Sequence, residues 1–178
     1  LKPLAEAAHT RNATVLVDPS LIDEVRAMAS GYLVAGKGSH TVAGTGQEQA
    51  KEWLNLVEPL LSSGRAYRLP YGNADVTGAA RQGRSSLLLT VKHAVDPSNP
   101  AAHLPLAIID PPAEIDNSSF KTLAKELSPS VILTCAASVR KGVREDFGVK
   151  IVGLADTVRT SGHPQSTRDS QRRGRVLS

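Results

Sequence analysis

The feature that most limits what this chain can fold into is a unit that recurs three times, over residues 14–30, 65–81 and 104–127. Each copy runs from a short apolar stretch, through a turn rich in Asp and Pro, into a capped helical stretch. In the first, Thr14-Val-Leu-Val17 leads into Asp18-Pro19-Ser20, and Leu21, Ile22, Val25, Met28 and Ala29 then recur at helical spacing. Ser20 and Asp23 fit a capping-box start for that helix. In the second, Ala66-Tyr-Arg-Leu69 leads into Pro70-Tyr-Gly-Asn-Ala-Asp75, with Asp75 placed to cap a short helix to about Arg81. In the third, Leu104-Pro-Leu-Ala-Ile-Ile109 leads into Asp110-Pro-Pro-Ala, and Asp116 or Asn117 caps a helix from about 118 to 127. Short apolar runs that alternate with helices are the pattern of parallel strands joined by crossover helices. The expected fold class is α/β: a parallel sheet of repeated βα units, either an open sheet or a partial or distorted (β/α) barrel.

The rest of the chain fits around that frame. Lys2 to His9 reads as the end of a helix. Residues 31–46 hold five glycines and read as a flexible loop, one placed to lie over the rim of the sheet. A helix over 47–62 carries Trp53, Leu54, Val57, Leu60 and Leu61 on its apolar side, and Pro59 either kinks it or marks a new start. Residues 85–95 read as helix and 96–100 as a turn. Val131 to Cys135 is a fourth strand, and 149–154 one more. With aromatics at 3%, the core of this 178-residue chain must be built mostly from Leu, Val, Ile and Ala.

Charge divides the chain at about residue 158. The net charge of +4 is carried entirely by five Arg (159, 168, 172, 173 and 175) against Asp169 in the final stretch. The expected organisation is one α/β domain over 1–158, followed by a disordered basic tail or linker over 159–178. A neutral body lacks the one-face basic patch of a nucleic-acid-binding domain, so no nucleic-acid partner is expected. No signal peptide, membrane-spanning run or lipidation motif is visible. Cys135 is the single cysteine, which excludes an intrachain disulfide, and its apolar run reads as that of a buried thiol.

Parallel strands place their following turns at one rim, where α/β folds put their ligand sites. The ligand-binding candidates are therefore Asp18, Tyr71, Asn73, Asp75 and Asp110, with Glu114 beside them. Each Asp also has an ordinary use as a helix cap or turn residue. Other motifs are weaker. Gly31-Tyr-Leu-Val-Ala-Gly36-Lys37-Gly38 matches most of a phosphate-binding loop, but Gly38 stands where a hydroxyl is needed, and the segment follows a helix instead of a strand. The five histidines show no metal-ligand spacing, although His40 in the Gly-rich loop could reach the rim. No nucleophile elbow or dinucleotide fingerprint is present. No catalytic residue, metal or cofactor is assigned.

Three stretches taken together carry a resemblance: Thr14-Val-Leu-Val-Asp-Pro-Ser-Leu-Ile-Asp-Glu-Val, Arg68-Leu-Pro-Tyr-Gly-Asn-Ala-Asp-Val and Ala107-Ile-Ile-Asp-Pro-Pro-Ala-Glu-Ile-Asp. In this order they resemble the extracytoplasmic part of an uncharacterised actinobacterial family of secreted, membrane-anchored proteins encoded beside the MviN/MurJ-type lipid II flippase. The resemblance covers roughly residues 1–155, an internal portion of such a protein. Asn73 stands where the family more often has an acidic residue, and Asp110-Pro-Pro replaces a turn with more glycine. The layout is also similar to (β/α)-barrel polysaccharide deacetylases and glycoside hydrolases, although the deacetylases' metal-binding His pair has no counterpart on a strand end. The resemblance implies a noncatalytic or vestigial carbohydrate-active-enzyme-like domain of a cell-envelope protein. Such a domain would bind cell-wall glycan or a protein partner at the rim, with Tyr71 stacked on a sugar ring. It would lie outside the cytoplasm and meet the membrane only through other parts of its parent. The alternatives are an active glycoside hydrolase or deacetylase-like enzyme using paired Asp, and a scaffold for the flippase or a divisome partner.

Overall fold

The computed structural model describes residues 2–11, 13–36, 38, 40–110, 116–134 and 143–153. Their elements, in chain order, are α1 (Lys2–Thr10), β1 (Val15–Val17), α2 (Pro19–Ala29), β2 (Leu33–Ala35), β3 (Thr41–Ala43) and α3 (Gln47–Leu61). Then come β4 (Ala66–Arg68), a single 3-10 turn (Tyr71–Asn73), α4 (Val76–Arg81) and α5 (Ser85–His93). Last are β5 (Ala107–Asp110), α6 (Asn117–Leu127), β6 (Val131–Thr134), β7 (Val143–Asp146) and β8 (Val149–Gly153). The three repeated units predicted from sequence correspond to β1–α2, β4–α4 and β5–α6.

The fold is mixed α/β with a largely parallel strand arrangement. β1 pairs in parallel with β4, Val17 lying opposite Arg68. β5, β6 and β8 form a parallel ladder, and β7 adds antiparallel to the outer side of β8. One parallel bridge, Arg68 to Leu106, joins the two-stranded piece to the four-stranded one, with Arg68 N–H donating to the Pro105 carbonyl at 3.0 Å. From β1 through β4, β5 and β6 to β8, neighbours in space follow the order of the chain. No barrel closes among the described strands. β7 was not expected; it belongs to a tight antiparallel pair with β8 in which Phe147 and Gly148 both adopt positive φ.

The helices lie on one face of these strands. Val17 and Ala66 join Ile22, Val25, Ala50, Trp53, Val57, Leu60 and Leu61 in a core under α1, α2 and α3. Leu106, Ile108, Ile132 and Ile151 join Leu88, Phe120, Leu123 and Leu127 in a second core under α4, α5 and α6. On the opposite face Ala107 and Val131 are buried, but Ile109 is 46% exposed, and its ladder neighbours Leu133 and Val152 are only half-buried. A parallel strand ordinarily has both faces covered. Among the described residues, helices cover one.

Three local readings are corrected. Asp18, not Ser20, is the N-cap of α2, with Pro19 at the first helical position, where its missing N–H costs nothing. α3 continues through Pro59, which falls close to its end. The Gly-rich stretch 31–46, expected as a loop, carries two strands, β2 and β3, which pair antiparallel outside the parallel sheet. Two of its glycines, Gly44 and Gly46, serve close approach. The Tyr32 ring lies so near Gly44 that a Cβ there would run into it, and the Tyr32 hydroxyl accepts from Gly46 N–H at 3.2 Å.

The amino end of α6 is held by a titratable cap. The Asp116 carboxylate accepts from the Ser119 hydroxyl at 2.6 Å and from Ser119 N–H at 2.9 Å. These two bonds hold its pKa below the ordinary aspartate value. A depressed folded-state pKa means stability that is present above the ordinary value and lost as pH falls through the folded one. Asp116→Asn keeps a capping oxygen but cannot titrate. Thermal midpoints followed on acidification should therefore fall less steeply for Asp116→Asn than for the wild type.

Candidate functional site

Because β1, β4, β5, β6 and β8 run in parallel, the residues that follow them emerge on one rim. Asp18 follows β1, Asn73 and Asp75 follow β4, and Asp110 ends β5 opposite Thr134 of β6. The topology thus brings the five candidates to the same end of the strands. Their side chains then divide between two uses. Glu114, Cys135 and the tail from 159 lie outside the described residues, as does the Asp110 side chain.

The first use is structural. The Asp18 carboxylate accepts from Ser20 N–H at 2.9 Å and from Gly72 N–H at 3.0 Å through the same oxygen, Oδ1. It therefore caps α2 and also pins the turn that follows β4. Tyr71, in that turn, donates its hydroxyl to Asp23 Oδ2 at 3.3 Å. Asp23 was expected as the second half of a capping box; instead it is the acceptor at the centre of this cluster. Its other oxygen receives the Asn99 side-chain amide at 2.9 Å, and that amide also donates to the Pro19 carbonyl at 2.9 Å. The Asn99 side-chain oxygen accepts from Ala101 N–H at 2.8 Å. Asn99 is 1% exposed, so all of its side-chain polar atoms depend on these partners. The sequence showed Asn99 only as part of an ordinary Asp-Pro-Ser-Asn-Pro turn. Its partners on α2 are 76 and 80 residues away, and no local signal reports them.

The second use is a cleft of about 330 Å³ at the carboxyl ends of β4 and β5. Pro70, Asn73, Ala74, Asp75, Val76, Thr77, Ile108 and Ile109 line it. Two of the five candidates, Asn73 and Asp75, stand in its wall. Asn73 has φ of +48°, in the left-handed region that Asn tolerates better than most residues. Asp75 caps α4: its Oδ1 accepts from Gly78 N–H at 2.8 Å and from the Thr77 hydroxyl at 3.0 Å. No described residue donates to its Oδ2. Gly78 is required here because a Cβ would collide with that carboxylate. Apolar atoms of Pro70, Ala74, Val76 and Ile109 form the remaining wall. Asp18 and Tyr71 do not line the cleft.

This arrangement sets what the described residues can do chemically. Asp75 is the single carboxylate among them that lines the cleft, so they assemble no carboxylate pair across it. No three His, Cys, Asp or Glu side chains among the described residues converge as metal ligands do. No described helix is long and apolar enough to cross a membrane. His40 is exposed at the end of the β2–β3 hairpin, where its backbone oxygen accepts from Gly36 N–H at 2.8 Å. The partial phosphate-loop match falls in this same hairpin, and no helix begins directly after it.

Two measurements test the polar cluster. Asn99→Ala removes three hydrogen bonds and strands buried partners, so urea unfolding should show a loss of about 2–3 kcal/mol. A loss below about 0.5 kcal/mol would show the cluster to be inessential. Tyr71 supplies the second test. Desolvation of its hydroxyl, and then the charge of Asp23 with the bond to it, push its pKa above the ordinary value near 10. Its neutral form is the one folding favours, so this contribution is complete below the ordinary value and is lost as pH rises through the raised one. In an alkaline absorbance titration, Tyr71→Phe should remove a late tyrosinate component, and Asp23→Asn should shift that component earlier.

Comparison with known proteins found no matching family model, no matching curated protein and no matching solved structure.

Proposed function

We propose that this chain is a noncatalytic, carbohydrate-active-enzyme-like binding domain, a partial (β/α) barrel that holds glycan in the cleft at the carboxyl ends of β4 and β5. The observation that carries this reading is the make-up of the cleft. A carboxamide and a carboxylate oxygen with no described partner stand beside an apolar wall, in the part of the fold where α/β proteins bind ligands. Sugars offer the same mixture of hydroxyl groups and C–H faces. What supports the noncatalytic reading is how the described acids are used: Asp18 and Asp23 are engaged in holding α2 and its neighbours, and Asp75 lines the cleft without a described carboxylate partner. The apolar surface of Ile109, 46% exposed, takes the place of the ring stacking expected of Tyr71. By the family resemblance, the glycan is a cell-wall polymer and the parent protein is anchored to the membrane outside the cytoplasm.

A second reading, a scaffold for a protein partner in the envelope, draws on the β2–β3 hairpin. Leu33 and Val42 on it are 69% and 51% exposed. Isolated two-stranded hairpins are marginal in water, and exposed apolar strands favour partner surfaces.

Retention on insoluble peptidoglycan distinguishes the two readings. The wild type should be retained, and Asn73→Gly together with Ile109→Ser should weaken retention by about tenfold or more. Leu33→Ser with Val42→Ser should leave it unchanged. Absence of wild-type retention, or equal retention of the cleft variant, would overturn the glycan reading.

A further inference from the structure

We infer that the cleft at β4 and β5 selects a sugar carrying an acetamido group, an uncharged N-acetylated hexosamine unit; this rests on the glycan reading above and narrows it. An acetamido group carries an N–H donor, a carbonyl acceptor and a methyl group. The cleft supplies a counterpart for each. Asp75 Oδ1 is already committed to Gly78 N–H and to the Thr77 hydroxyl, whereas Oδ2 receives no bond from a described residue. That oxygen accepts from the acetamido N–H. The Asn73 carboxamide makes no hydrogen bond to a described residue; only its backbone N–H is engaged, with the Pro70 carbonyl at 2.8 Å. Its amino group donates to the acetamido carbonyl. Ile109, 46% exposed although it lies in a strand, offers the methyl group an apolar surface.

The same wall disfavours the main competitors. No Lys or Arg is among the described lining residues, and the first-turn amide of Gly78 is already taken by Asp75. Among the described residues, a phosphate or uronate would meet the Asp75 carboxylate with no cation beside it. A sugar bearing only hydroxyls could bond Asn73 and Asp75 but would leave Ile109 against a polar group. A volume of about 330 Å³ is at the small end for ligand sites, which fits one sugar unit of a polymer.

Calorimetric titration of the full chain with two tetrasaccharides of the same β-1,4 linkage tests this: the N-acetylglucosamine tetramer and cellotetraose. The acetylated tetramer should bind about tenfold tighter or more. Asn73→Gly suits a φ of +48°, and Ile109→Ser changes a side chain already exposed, so both variants should keep the wild-type thermal midpoint. Each should bring the two affinities closer together. Equal affinity of the wild type for both sugars would overturn the acetamido inference and leave the glycan reading standing. Binding of neither would overturn both. A preference unchanged in both variants would overturn the assignment to this cleft.

Discussion

The amino end of α2 is where separate parts of the chain are fastened together, and the buried amide of Asn99 is the group that makes the fastening specific. Asn99 donates to α2 at two points, through Pro19 and Asp23, and orders its own loop through Ala101. Asp18 draws in the turn after β4 through Gly72, and Tyr71 closes onto Asp23 from the same turn. Each bond by itself contributes modestly, because water competes for the same groups in the unfolded chain. The cost of losing one is larger, since Asn99 is out of reach of water. Hydrophobic burial would tolerate several arrangements of this loop against α2, whereas a buried amide with fixed donors and acceptors tolerates few.

That fastening matters because the strands are short. β1 and β4 have three residues each, and a single bridge connects β4 to β5. A ladder that brief holds little by itself, so the helix layer and the loop bonds keep the strands in register. The junction also carries a burden. Arg68 sits at the bridge with its Nε buried and without a hydrogen-bond partner, and burial lowers the pKa of its guanidinium. A desolvated cation with an unmatched donor is tolerated only where packing around it compensates.

The rim shows how one residue type serves two ends. Asp18, Asp75 and Asp116 are all helix caps, which is a sufficient reason for an Asp after a strand. Asp75 differs only in what surrounds it. Its carboxylate lies over the first turn of α4, Oδ1 holding the Gly78 N–H and Oδ2 receiving no bond from a described residue, and the residue lines a cleft together with the exposed end of β5. Asn73 reaches the same cleft from a left-handed backbone position in the 3-10 turn. The proposed binding role thus depends on a side chain with one oxygen held and one available.

By itself the sequence determined the features set by neighbours in the chain. Apolar runs and capping residues placed β1, β4, β5, β6 and β8 and all six helices to within a few residues, and the order of strand, turn and helix implied parallel pairing. These follow from periodicity, caps and turns, which act over about one helical turn. The hairpin β2–β3 reads as a loop in the sequence because Gly44 and Gly46 serve the Tyr32 ring packed against them, a contact no spacing encodes. The strand β7 has only its pairing with β8 to define it. The division of the rim candidates was decided by tertiary structure alone. Asp18 and Tyr71 went to the α2 cluster because Asn99 and Asp23, distant in sequence, were brought beside them. Asn73 and Asp75 were left facing a cleft because β5 lies next to β4. The repeated Asp after a strand marks the rim in either case; which of these residues lines a cleft and which holds a neighbouring turn is fixed only when the strands come together.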